Sequence, residues 1–283
     1  MPLRHSIGLA LGIAALVQGA ATARLAPVTG KPYRLVLIEE RRDDRGTQRF
    51  TSERRLVFHT LPAGTALDLT ITTSTAPPGG PGAMFAAAMA GLKGRTIRFL
   101  LDADGQVTSI DEEDAVWNAL CAAVDRAADA TVAGSAARDR AARSMAAAFR
   151  SLSADRRRAM LTSMAAPALA GALANRPPER DAAITLPARS PAGTTTMLPG
   201  KETVQLIDDR TMTITTAAEG DIAAPDAAGP ATAHIRVSIT RTIDRVAGLV
   251  LESREERETT IGSGADLRRS TSVSTSRLID PVS

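Results

Sequence analysis

Two stretches of strict alternation constrain this chain most. In TALDLTITTST (65–75), Leu67, Leu69 and Ile71 alternate with Asp68, Thr70 and Thr72. In HIRVSITRTI (234–243), Ile235, Val237, Ile239 and Ile243 share one face, and His234, Arg236, Ser238 and Thr240 share the other. A period of two over such lengths describes β-strands with one buried and one solvated face. Further strands are expected at 33–40, 49–59, 95–101, 107–110, 202–207, 211–216, 249–258 and 267–278, all rich in the Thr, Val and Ile that pleated surfaces favour. Stretches rich in Gly and Pro at 76–82, 187–200 and 219–231 read as the loops between them.

The middle of the chain has a different period. From Glu113 to Ala130, Trp117, Leu120, Cys121, Val124 and Ala128 recur at helical spacing on one face. Met145, Phe149 and Leu152 mark a second helix. A third begins after Ser153, a capping residue, with Asp155 well placed in its first turn. It is expected to run through Leu173 with a bend at Pro167, ended by Asn175 and Pro177-Pro178. A shorter helix is expected at 83–92. The fold class is therefore α+β: an extended, mostly antiparallel sheet, curved and half-barrel-like, with a helical insertion between two β-rich blocks. The domain division is a single domain over 24–283, with a β block at 33–111, the helical insertion at 112–175 and a β block at 184–279. The two blocks echo each other, since TIRFLLDADGQVTSIDEED and IRVSITRTIDRVAGLVLESREER each hold a strand, an Asp/Gly turn, Gly-x-Val and an acidic run.

Arg4 and His5, an apolar run from Ile7 to Val17, and Ala21-Thr22-Ala23 have the layout of a cleavable export signal over residues 1–23. The run is shorter than the about 20 residues that span a bilayer, and the expected mature chain has no membrane span. Export to the periplasm, or secretion, follows as the expected location. Loss of Arg4 lowers the formal net charge from +3 to +2. No clustered basic face stands out, so nucleic acid is not an expected partner. Cys121 is the single cysteine, which leaves an exported domain to hold together by its core rather than by an internal disulfide.

The acids of LLDADGQVTSIDEED (100–114) invite a calcium-loop reading, which fails in register. With Gly105 at position 6, position 1 falls on Leu100; starting at Asp102 puts Val107 where the glycine belongs. An Asp/Gly hairpin turn is the reading that fits. His59 and His234 lie on polar strand faces, and neither a nucleophile elbow nor a phosphate loop is present. No cofactor, metal or catalytic group is expected. The mixed-sign runs EERRDDR (39–45) and ESREERE (252–258) read as cross-strand ion pairing on solvated faces.

Residues 135–160 carry seven arginines against Asp139 and Asp155. With Met84, Met89, Met145, Met160 and Met164, the arginines Arg156, Arg157 and Arg158 form a candidate surface: adaptable, apolar and basic-rimmed, suited to an apolar small molecule, a lipid or an envelope protein partner. The same pattern also fits amphipathic helices packing their Met/Leu faces on the sheet and solvating their arginines. Meandering strands, a helical insertion and an export signal together resemble the LolA/LolB and LppX-like half-barrel carriers of the bacterial envelope. That resemblance, of architecture over 33–278, implies a curved sheet and helices enclosing an apolar ligand. The functional expectation is a non-enzymatic exported protein that binds an apolar ligand or lipid between sheet and helices. The alternative is a structural or assembly factor acting through protein contacts.

Overall fold

In the computed structural model the described residues are 25–280, apart from 45, 63, 131–135, 179, 190–194, 227–228 and 263–266. The expected export signal lies outside them. The first β block folds as β1 (Pro32–Asp43), β2 (Gly46–Leu61), β3 (Gly64–Thr75), β4 (Thr96–Leu101) and β5 (Val107–Ile110). The second folds as β6 (Arg180–Arg189), β7 (Thr195–Leu206), β8 (Thr211–Asp226), β9 (Gly229–Asp244), β10 (Leu249–Ile261) and β11 (Arg268–Ile279). All pair antiparallel in one sheet of order β5-β4-β3-β2-β1-β11-β10-β9-β8-β7-β6. Each block is thus a meander, and the first and last strands join them, Leu35 opposite Leu278. The sheet is curved and open, with β5 and β6 as its edges.

Among the described residues four helices complete the α+β architecture. Helix α1 (Gly80–Leu92) lies between β3 and β4; α2 (Glu113–Ala130), α3 (Ala136–Arg150) and α4 (Ala154–Thr162) lie between β5 and β6. The main core forms where alternating residues of β1–β4 meet them: Leu35, Leu56, Phe58, Leu69, Ile71, Ile97 and Phe99 pack with Met89, Leu92, Trp117, Leu120 and Leu161. Trp117 stacks on Phe149, ring centres 4.8 Å apart, which fastens α3 to α2. At Gly91 the helices α1 and α2 approach so closely that an added Cβ would come 2.5 Å from the Ala123 methyl.

Three expectations need correction. Residues 187–200 and 219–231 are not simply loops. Ala188 and Leu198 are buried in the paired β6–β7 hairpin, and β8 and β9 stay paired to Asp226 and Gly229. Neighbouring strands overrode weak local signals there, and Pro187 is tolerated because β6 is an edge strand. The third helix does not bend at Pro167; it ends at Thr162, followed by short 3-10 turns at Ala166–Ala168 and Gly171–Asn175. Pro167 has no N–H to give and its ring crowds the carbonyl four residues back, so the helix stops before it. Ser153 is the N-cap residue, as expected, but its side chain makes no capping hydrogen bond.

Candidate ligand-binding site

The outer sheet face is a field of cross-strand ion pairs. Arg98 grips Asp68 with two hydrogen bonds of 2.7 and 2.8 Å, while His59 lies 3.0 Å from the same carboxylate. These hydrogen bonds, chiefly those of Arg98, hold the Asp68 carboxyl below the usual carboxylate range. Arg236–Glu219, His234–Asp221, Lys201–Asp181 and Arg269–Glu258 repeat the pattern. Such pairs keep a broad sheet solvated and its residues in register. His59 and His234 are accounted for in this way, and among the described residues no three His, Cys, Asp or Glu are grouped to hold a metal. Burial pushes the Cys121 thiol up, away from the reactive thiolate.

The inner face is divided. Its lower part is the apolar surface of Tyr33, Leu35, Leu278, Leu249 and Ile243, covered by the helical segment. Arg54 sits at the boundary, buried, its guanidinium donating to the Met164 carbonyl and so clamping the end of α4 to β2. Burial lowers its pKa to about 10.

Above that level three cross-strand rows follow on the same face. The first runs Ser52, Leu37, Ser276, Ser253, Arg241 from β2 to β9. The second runs Phe50, Glu39, Ser274, Glu255, Ile239, and continues to Thr216 and Glu202. The third runs Gln48, Arg41, Ser272, Arg257, Val237. Across β1, β11 and β10 these rows are polar but for Leu37. Two strand irregularities, at Glu53/Arg54 between β2 and β3 and at Val250/Glu252 between β9 and β10, mark the lower edge of the band. Bulges bend strands and sharpen their twist, so both halves of the sheet turn at this level.

The band's charges are half-buried. Glu39 and Arg41 side chains are 23% and 29% exposed and 2.6 Å apart, with Arg41 also lying over the Phe50 ring. Glu255 and Arg257 are 3.7 Å apart, and the Arg257 Nε is buried without a hydrogen-bond partner. Glu202 is engaged by Arg176 at 3.2 Å. Burial holds the Arg241 guanidinium below the ordinary arginine range, against the opposing charges of Glu255 and Glu202. Beyond the band, Leu198, Ala218, Ile222, Ala233, Ile235 and Val237 form an apolar cluster where β6 curls toward β8.

The residues singled out in the sequence lie elsewhere. Met89 and Met164 are buried in the main core, and Met84 and Met160 are half-buried against it. The Met145 side chain lies outside the described residues. Arg156 is exposed, whereas Arg157 and Arg158 turn back on the first turn of α2, 3.5 Å from Asp114 and 2.9 Å from Glu113. Four of the methionines are therefore brought together as packing, and two of the three arginines as braces between α4 and α2. Sequence reasoning missed the polar band. Its signal was present in RRSTSVSTSRLI and ESREERE, central strands with polar residues on both alternating faces.

The LLDADGQ turn is the hairpin tip it was expected to be. Asp102 Oδ1 accepts from the N–H groups of Asp104 and Gln106, and Gly105 adopts φ +77°. The β9–β10 turn repeats this: Asp244 Oδ1 accepts from Val246 and Ala247, and Gly248 has φ +69°. Both tips meet at Leu25, whose N–H donates to Ala103, while that of Ala26 donates to Ala247. Comparison with protein-family models and with curated protein sequences returns no match, so what the site does must be read from its own geometry.

Proposed function

We propose that this is an exported, non-enzymatic binding protein of the bacterial envelope, which holds an amphipathic, lipid-like ligand on the inner face of its open sheet. The observation that carries this reading is the half-buried polar band over β1, β11, β10 and β9, bordered by apolar clusters. Fixed, half-desolvated polar groups next to apolar surface suit a molecule with both characters. The space between the helices and β1–β4 is filled by side chains, so the reading assigns the ligand to the polar band rather than to that layer. Glu39 with Arg41 and Glu255 with Arg257 hold charge in fixed, half-desolvated pairs, which gives the band polar groups already positioned for a ligand. Native mass spectrometry and solvent extraction of protein purified from its own host should recover an amphiphile in near-stoichiometric amount. Ligand-free protein that also fails to take up added amphiphiles would sink the reading.

A further inference from the structure

The charges of the polar band do not cancel. Three guanidiniums, Arg41, Arg241 and Arg257, face two carboxylates, Glu39 and Glu255, and the nearby Glu202 is already engaged by Arg176. Arg41 and Arg257 each have a carboxylate on their own strand, so Arg241 is the surplus. Among the described residues it forms no direct ion pair; it is half-buried, with Ser253 opposite on the neighbouring strand and the buried Ser276 next beyond. The charges of Glu255 and Glu202 act on it, but it forms a direct pair with neither, so the hydration its half-burial removes is only partly replaced. Planar donors and neighbouring hydroxyls are the groups that bind carboxylate or phosphate oxygens.

We infer that Arg241, with the Ser253 and Ser276 hydroxyls, binds the anionic group of the ligand, a carboxylate or a phosphate, and that the ligand's apolar part points toward the Val237–Leu198 cluster. The inference rests on the proposed binding function and narrows the ligand to an anionic amphiphile.

Titration calorimetry with dodecanoate, dodecyl phosphate and dodecanol tests it. The native protein should bind at least one of the two anions about tenfold or more tighter than the alcohol, since a charge-assisted hydrogen bond is worth that much; which anion wins identifies carboxylate or phosphate. Arg241→Gln should bring the anions to within about twofold of the alcohol, while Arg241→Lys retains part of the preference. Near-UV circular dichroism checks that both variants fold; if Arg241→Gln does not, Ser253→Ala with Ser276→Ala must weaken anion binding selectively. Equal binding of alcohol and anions by the native protein, or an anion preference that survives Arg241→Gln, overturns the inference and leaves the binding function standing. Binding of none of the three overturns both.

Discussion

Asp102 and Asp244 perform one task at two separate turns, but at different depths. Asp102 closes a partly exposed tip, whereas Asp244 is 5% exposed and also accepts from Arg210 at 2.6 and 2.8 Å. Removing Asp244 leaves two backbone N–H groups and a guanidinium without their acceptor. Asp244→Ala should therefore cost roughly 3 kcal/mol in urea unfolding, and Asp102→Ala about 1 kcal/mol. Asp68 offers a test with a sign. Its folded pKa is depressed, mainly by Arg98, so its contribution is present above the unfolded value of about 3.9 and is lost as pH falls through the folded one. Asp68→Asn should be less stable than the native protein at pH 7, and the gap should close as pH drops below about 4. A gap independent of pH would mean that the pair with Arg98 contributes nothing.

Helix α2 was legible from Glu113 to Ala130 because a buried stripe recurs every three to four residues and because Glu113 and Asp114 occupy its first turn, where negative charge is favoured. Helix α4 was legible at its start and not at its end. Periodicity continues past Thr162 in the sequence, yet Pro167 and the left-handed Gly171 (φ +52°) set the backbone there. Gly91 illustrates the opposite conflict: a poor helix former, kept where α1 and α2 touch. Gly91→Val should destabilise by roughly 1–3 kcal/mol by overpacking. Ala90→Val, on the exposed side of the same helix, should cost under about 1 kcal/mol from propensity alone. Equal losses in a denaturant titration would place the effect in propensity rather than packing.

At the scale of the whole molecule, Leu25 shows how strongly the sheet curves. The β4–β5 and β9–β10 tips are separated in the sheet by β3, β2, β1 and β11, yet both glycines at their turns, Gly105 and Gly248, approach Leu25. The segment then runs on to β2, where Gly30 donates to Phe58 at 2.8 Å. Leu25→Asn should lower amide-exchange protection at 103–106 and 245–248 together, with no comparable change at the β8–β9 end near Ala233. Loss at one tip alone would mean that the strap does not couple them. In the same sheet β6 comes close to β8, which sets an apolar cluster beside the polar band.

By itself the sequence determined the strands with one apolar face, the helices with one apolar stripe and the Asp/Gly turns, because each is decided by residues within a few positions of one another. It also contained the double-faced polarity of β10 and β11, without saying that these strands lie at the centre of the sheet rather than at a solvated margin. Only the tertiary structure decided that, since the pairing of β1 with β11 joins residues more than two hundred positions apart. It alone placed Met89 and Met164 in the core, returned Arg157 and Arg158 to α2, and left Arg241 half-buried, under the charges of Glu255 and Glu202 but in a direct pair with neither. Burial and charge balance are sums over neighbours that are distant in the chain, and no local pattern carries them.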